Sequence, residues 1–261
     1  MKNQTPFSLR FFSILSLILL LTFTMMGCAS KDAKEEDESL SAKELYEQAS
    51  KSLNSGDYET AIKDYEDLEA RYPFGQYAEQ AQLDVAYAYY KYGETESAVA
   101  AADRFIRTHP RHPNVDYAYY LKGLSNFLRG ISFLDRYLSL DLSKRDAKAM
   151  EEAFFNFKEL VTRFPESEYA EDSRKRMVYL RSQLAFHEVD TARYYLKITA
   201  YIAATNRAQY VLEHYQGTPA APEALLVMID AYGKLKLPQL QQDAQRVLDK
   251  NYPGYQRQLV D

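Results

Sequence analysis

A chain of 261 residues is long enough for one or two globular domains. Hydrophobic residues make up 46% of the chain, charged residues 26%, and there are only 9 Gly and 9 Pro, which excludes a fibrous or disordered protein. The net charge of −5 argues against nucleic acid as a partner.

The first 27 residues have the pattern of an export signal. Lys2 and Arg10 precede a run of apolar and small residues at positions 11–23. That run is shorter than the roughly 20 residues that a membrane-spanning helix needs. Residues 1–27 are therefore predicted to be a signal peptide that is removed from the mature chain.

Cys28, the only cysteine, stands where such a signal is cut. Gly27-Cys28 after an apolar core resembles a bacterial lipobox, although positions 25 and 26 are methionines instead of the usual residues. The resemblance implies an S-diacylglyceryl, N-palmitoyl cysteine at position 28. Residues 29 and 30 lack the aspartate that retains such lipoproteins at the inner membrane. The resemblance therefore implies that the chain is located at the periplasmic face of the outer membrane. Two or three acyl chains make a stable anchor, whereas one is marginal.

A polar, mostly acidic stretch follows the cysteine at residues 31–44. Such a composition cannot bury a core. Residues 28–40 are therefore predicted to be a flexible acidic tether between the lipid and the folded domain.

A break that usually contains proline recurs along the rest of the chain. Four helical patterns end at Pro73, Pro110, Pro165 and Pro253, and Gln216 takes the proline position in another. Apolar residues stand five positions before the breaks: Leu68, Phe105, Leu160, Val211 and Leu248. Alanine stands twelve positions before four of them, at Ala61, Ala98, Ala153 and Ala204. This spacing is typical of the tetratricopeptide repeat, whose small residues let paired helices approach closely.

The repeats predict an all-α fold, a right-handed superhelical solenoid of five tetratricopeptide helix pairs. Units one to three occupy residues 41–165 and units four and five residues 166–261. The inner turns are expected at Gly56, at Gly93 and at Leu237-Pro238. Unit three carries an insertion at residues 131–146, and long helices are expected in unit four.

The first helix of unit two has apolar residues on two sides, as expected for a helix packed between neighbours. The 23 tyrosines are therefore interpreted mainly as core and groove lining.

Residue patterns that carry catalytic chemistry are missing. There is no nucleotide-binding glycine loop and no G-x-S-x-G motif, and the four histidines are scattered. His109 and His112 flank Pro110 without a neighbouring cysteine or carboxylate cluster, so no metal site is predicted. Acidic clusters lie on amphipathic helices and are interpreted as solvated faces. We expect neither a cofactor nor an enzymatic activity.

Three stretches carry a resemblance to a known family: residues 71–91, 102–124 and 191–215. Together with the lipobox and the five repeats, they resemble the BamD family of lipoproteins of the outer-membrane β-barrel assembly (BAM) machine. The resemblance implies docking to BamA, through its POTRA domain nearest the barrel, by the C-terminal repeats. It also implies contact with BamC and other accessory lipoproteins, and capture of unfolded β-barrel proteins by the N-terminal repeats. A generic envelope tetratricopeptide lipoprotein that organises cell-wall enzymes or peptidoglycan attachment is the alternative.

Two groups of site residues are predicted on this basis. Five aromatic residues around the first inter-repeat turn are expected to bind the aromatic end of a client strand: Tyr72, Phe74, Tyr77, Tyr87 and Tyr90. The alternative is that these rings only pack. Arg207 is expected at the rim of the apolar stripe of its helix, where it would pair with an acidic residue of BamA. Its alternative is an intramolecular ion pair, for example with Glu213 or an acid of unit five.

Overall fold

The computed structural model describes residues 40–129 and 147–255, and all regular structure in these ranges is helical. The helices are α1 (Ala42–Ser55), α2 (Tyr58–Arg71), α3 (Gln76–Tyr92), α4 (Thr95–Thr108), α5 (Val115–Leu128), α6 (Ala147–Arg163), α7 (Ala170–Lys197), α8 (Tyr201–His214), α9 (Ala221–Lys234) and α10 (Pro238–Asn251).

Each helix packs mainly on the helices before and after it in the chain. Short connections make the helices of four pairs antiparallel, so α1–α2, α3–α4, α7–α8 and α9–α10 are hairpins, and α5 packs on α6 as a further pair. Further contacts join first helices of successive pairs: α1 with α3, α3 with α5, and α7 with α9. The predicted all-α solenoid of helix pairs is confirmed.

Local signals set the helix ends. Ser41 begins α1 in a capping box, because its hydroxyl accepts from the Glu44 amide while the Glu44 carboxylate accepts from Ser41. Gly56 ends α1 at a φ of 82°, in the left-handed region that favours glycine. Asp57 then caps α2 by accepting from the Thr60 amide.

The positions that define the repeat form the core. The apolar residues five before each break are at most 3% exposed, and the four alanines twelve before are fully buried. Tyr65 and Phe157, aromatic residues of units one and three, are also fully buried. Burying a large apolar side chain contributes roughly 1.5–3 kcal/mol, so these positions hold each hairpin to its neighbours.

One close approach between helices requires a glycine. A methyl group built on Gly123 of α5 would lie 2.6 Å from the ring of Phe157 in α6. Since Phe157 is fully buried, its ring has no room to retreat. Gly123 therefore sets the distance between the two helices of unit three.

Unit four departs from the expected pair of long helices. Its first helix, α7, has 28 residues, but α8 has only 14, like the second helices of units one, two and five. The predicted signal peptide and the insertion at residues 131–146 lie outside the described residues, as does the predicted tether except for Leu40.

The inner turns of units four and five differ from those of units one and two. Gly56 and Gly93 have positive φ in the first two units, whereas Thr199 and Lys236 take that conformation at φ 63° and 57° in the last two. A side chain in the left-handed region costs roughly 1–2 kcal/mol.

None of the described helices is both long enough and apolar enough to cross a membrane.

Candidate functional site

Tyrosines from three successive units form a continuous wall along the first helices, which we call the tyrosine wall: Tyr87, Tyr90, Tyr117, Tyr120 and Tyr169. The ring of Tyr87 lies 6.4 Å from that of Tyr90 and 6.5 Å from that of Tyr117. Tyr169, which precedes α7, continues the wall, with its ring 5.2 Å from Tyr117 and stacked on Tyr120 at 4.8 Å.

Sequence reasoning named two members of this wall and missed three. The repeat interval gave no signal for the three, because Tyr117 is the third residue of α5 whereas Tyr87 is the twelfth of α3, so the two are not equivalent repeat positions. Tyr169 precedes its helix and has no counterpart in that interval either.

A carboxylate joins the first helices of units one and two. Tyr46 of α1 donates a hydrogen bond to Asp84 Oδ2 at 2.7 Å, and Gln80 Nε2 donates to Oδ1 at 2.9 Å. Burial raises the pKa of Asp84, although both hydrogen bonds act to lower it. Burial and the hydrogen bond to Asp84 raise the pKa of Tyr46 to about 12, so Tyr46 keeps its proton and remains the donor.

A second bridge of the same kind lies at the far end of the tyrosine wall. Tyr120 donates to Asp172 Oδ2 at 2.7 Å, and Arg176 pairs with the same carboxylate. Burial acts to raise the pKa of Asp172, but the hydrogen bonds from Tyr120 and Arg176 outweigh it and hold the pKa low. Both bridges contain a tyrosine hydrogen bond of 2.7 Å, but the pKa shifts are opposite, because burial dominates at Asp84 whereas Asp172 is less deeply buried and has Arg176 beside it.

The five aromatic residues predicted to bind a client strand do not form one cluster. Tyr87 and Tyr90 belong to the tyrosine wall, whereas the ring of Tyr77 lies 5.6 Å from Tyr46 of unit one. Tyr72 donates its hydroxyl to the Leu40 carbonyl at 2.9 Å. Phe74, in the turn between α2 and α3, is 90% exposed.

Arg207 lies on the exposed side of α8 and forms an ion pair within unit four. Its Nη1 is 3.0 Å from Glu188 Oε2 of α7. The Arg207 side chain is 47% exposed, whereas that of Glu188 is only 17% exposed. The intramolecular partner is Glu188 rather than Glu213 or an acid of unit five, and pairing with BamA stays a prediction.

A cavity of about 300 Å³ lies among α6, α7 and α8. It is lined by Glu151, Phe154, Phe155, Arg181, Leu184, Tyr210, His214 and Tyr215. Arg181 donates to the backbone carbonyls of Gln216 and His214, and the His214 ring stacks on Tyr210.

Across residues 40–129 and 147–255, no cluster of His, Cys, Asp and Glu could hold a metal ion. Cys28 lies outside the described residues.

Comparison with known proteins places the chain in a family. A family model described as "YfiO: Outer membrane lipoprotein" matches residues 38–248. A protein named outer membrane protein assembly factor BamD from Neisseria meningitidis serogroup B is 47% identical over 241 residues, 91% of this chain and 90% of the relative. Proteins of the same name from Xylella fastidiosa strain Temecula1 and Vibrio cholerae are 40% and 38% identical, covering 94% and 84% of this chain and 85% and 90% of the relatives. The resemblance seen in the sequence is thereby confirmed, and the chain belongs to the BamD, or YfiO, family of outer membrane lipoproteins.

Proposed function

We propose that this chain is an assembly factor for outer membrane proteins, a non-enzymatic scaffold of the BAM complex. In this role it docks to BamA and helps to recruit unfolded β-barrel proteins and insert them into the membrane. The observation that carries the proposal is the tyrosine wall of this chain. The family supports it, because relatives of the chain are named as assembly factors. The alternative role in cell-wall organisation has no comparable support.

The tyrosine wall suits the chemistry of the proposed client. Strands of outer-membrane barrels alternate apolar and polar residues and carry aromatic girdles near their ends. Tyrosine rings offer apolar faces to such aromatic residues, and their hydroxyls offer hydrogen bonds to the polar ones. We infer that the predicted residues Tyr77, Tyr87 and Tyr90 act with Tyr117, Tyr120 and Tyr169 in this surface, and that Tyr72 and Phe74 lie at its entrance.

Docking to BamA is assigned to the surface around Arg207. The guanidinium has five N–H donors, and Glu188 engages it through Nη1. A partner carboxylate could therefore add a second set of hydrogen bonds without displacing Glu188. Because Glu188 is mostly buried and holds the side chain, the guanidinium would lose little conformational freedom on binding.

Anchoring is assigned to Cys28. Acylation of this cysteine would hold the chain at the periplasmic face of the outer membrane, where BamA, BamC and other accessory lipoproteins would be within reach. No cofactor is required by any part of this proposal.

The experiment that tests the proposal is co-purification of the intact chain from detergent extracts of its own envelope. We expect BamA among the retained proteins, with BamC or other accessory lipoproteins beside it. Recovery of cell-wall enzymes without BamA would overturn the assembly role and support the alternative.

A further inference from the structure

The hairpin ends of units four and five expose apolar side chains to solvent. We call these ends, residues 194–202 and 234–240, the C-terminal tips. Five of their large apolar side chains are between 42% and 66% exposed: Tyr194, Ile198, Ile202, Leu237 and Leu240. Both tips lie at the same end of the solenoid, because α7 and α9 run in the same direction with α8 antiparallel between them.

The C-terminal tips are also basic, in a chain whose net charge is −5. Residues 191–212 and 231–242 contain no Asp or Glu, and the tips carry exposed Lys197, Lys234 and Lys236. Among ion pairs within the described ranges, none involves these three lysines. Their charge is therefore available to an anionic partner.

The corresponding ends of units one and two have the opposite character. Residues 54–60 and 92–98 each contain two acids and no Lys or Arg. Their turns use Gly56 and Gly93, whereas the C-terminal tips keep side chains at Thr199 and Lys236 despite positive φ. The apolar and basic character therefore belongs to one end of two units and is not a general property of the repeat.

We propose that the C-terminal tips insert into the interfacial layer of an anionic lipid bilayer. Segments that lie in this layer combine Ile, Leu and aromatic side chains with lysines that reach the headgroups. Lysines near an anionic leaflet are attracted to it, and no acid in the tips opposes that attraction. The tips are the projecting ends of hairpins, which suits entry into a fluid layer better than enclosure of a protein segment.

A bilayer is the partner that the family places within reach, since the chain belongs to a family of outer membrane lipoproteins. The contact is separate from the proposed acyl group on Cys28, because the tips lie in the last two units and the cysteine precedes the first. It does not depend on docking to BamA.

The chain contains no Trp, so one introduced tryptophan reports on its own position. Tyr194→Trp places the probe in a C-terminal tip, and Tyr92→Trp places a matched probe at the acidic end of unit two, where Tyr92 is 48% exposed. Each intact variant is mixed with vesicles of phosphatidylethanolamine and phosphatidylglycerol with brominated acyl chains. Insertion by 5–10 Å should shift the Tyr194→Trp emission to the blue and quench it about twofold, with little change for Tyr92→Trp.

Charge reversal tests the role of the lysines. Lys197→Glu with Lys236→Glu should abolish the quenching of Tyr194→Trp, and vesicles of phosphatidylcholine alone should quench it weakly. Ile202→Trp serves as a second tip probe if Tyr194→Trp loses helical circular dichroism. Equal quenching at Tyr92 and Tyr194 would overturn the proposal, because it would show proximity of the whole chain without insertion of the tips. The proposal would also be overturned if the emission of the tip probes did not change with vesicles but shifted on addition of BamA. That result would assign the tips to a protein partner.

Discussion

Tyrosine serves in this chain as a side chain with an apolar body and a polar end. Its rings pack between helices, while its hydroxyls donate to carboxylates on other helices: Tyr46 to Asp84, Tyr89 to Glu66, Tyr120 to Asp172 and Tyr255 to Glu223. The ring position follows from helical periodicity and could be predicted. The carboxylate partners could not, because they lie 23 to 52 residues away in the sequence.

The contact between Gly123 and Phe157 gives a prediction about stability. Gly123→Ala should lower the free energy of unfolding by about 1–2 kcal/mol, because overpacking against a buried ring outweighs the better helix propensity of alanine. Urea unfolding followed by circular dichroism measures it.

The matched control for that substitution is Gly233→Ala in α9. Its new methyl group would meet only the flexible end of Gln241, at 3.0 Å, so this variant should be as stable as the parent or slightly more stable. Equal losses of stability in both variants would contradict the role given to Gly123.

Phe74 offers the cleanest single-residue test of client binding. Because its ring is 90% exposed, Phe74→Ala removes little packing and should leave the melting temperature unchanged. If the ring receives a client, affinity for a peptide ending in an outer-membrane strand should fall about 5- to 10-fold, the loss of roughly 1–1.5 kcal/mol for an aromatic pair. Fluorescence anisotropy of the labelled peptide measures this affinity.

Tyr72→Phe is the control for Phe74→Ala, since it keeps the aromatic ring and removes only the hydrogen bond to the Leu40 carbonyl. Peptide affinity should be retained in this variant. Unchanged affinity in a folded Phe74→Ala variant would remove Phe74 from the binding surface.

At the scale of helices, two tyrosine–carboxylate bridges predict opposite dependences on pH. The pKa of Asp84 is raised in the folded chain, so its contribution to stability is greatest below the unfolded value of 3.8 and is lost as pH rises through the folded pKa. The pKa of Asp172 is lowered, so its contribution is present above 3.8 and is lost as pH falls through the folded pKa.

Substitution by asparagine separates the two bridges. Relative to the parent, Asp84→Asn should become progressively more stable as pH rises from about 4 to 7, because the cost of ionising a buried carboxyl is removed. The difference between Asp172→Asn and the parent should instead shrink as pH falls below about 4. Urea unfolding over this pH range measures both, and parallel profiles for the two variants would contradict the assigned pKa shifts.

The pair between Arg207 and Glu188 shows what repeat periodicity can and cannot predict. The spacing of apolar residues predicts Arg207 at the rim of the apolar stripe, and the side chain is about half exposed. The spacing could not identify Glu188, which lies on the antiparallel helix α7, across a turn from α8. Glu213 is six residues further along α8, a rotation of about 240°, so it faces away from Arg207. It accepts instead from Gln209 at 2.7 Å.

A charge exchange separates the two roles of Arg207. Arg207→Glu brings two carboxylates together, so it should cost about 1 kcal/mol of stability and weaken BamA binding by roughly 2–5 kcal/mol. The double variant Arg207→Glu with Glu188→Arg restores the intramolecular pair and should recover the stability. If Arg207 docks on BamA, the double variant still binds weakly in calorimetry; full recovery of binding would show that Arg207 acts only within unit four.

For the whole molecule, the repeat explains why the architecture could be predicted so far from sequence. Small and apolar residues at fixed intervals specify which face of each helix is buried, and each hairpin then stacks on its neighbours. Long helices were expected in unit four, and α7 has 28 residues, but the 14 residues of α8 were not foreseen. The membership of Tyr169 in the tyrosine wall was not foreseen either, because Tyr169 lies outside the helix whose apolar period can be read from the sequence.

The proposed lipid anchor predicts the behaviour of Cys28→Ala. Without the thiol, the proposed acyl chains cannot be added, and mature-sized protein should no longer float with outer membranes in a density gradient. Cleavage and flotation like those of the parent would exclude Cys28 as the anchor.

The hydrogen bond from Tyr72 to the Leu40 carbonyl limits how far the solenoid could lie from the proposed anchor. It fixes the point where the solenoid begins, and only twelve residues separate that point from Cys28. A polypeptide of this length spans at most about 40 Å when fully drawn out. An acylated Cys28 would therefore keep unit one within about 40 Å of the bilayer. With the C-terminal tips also at the lipid surface, both ends of the solenoid would be held near the membrane. The solenoid could then tilt but could not move away into the periplasm.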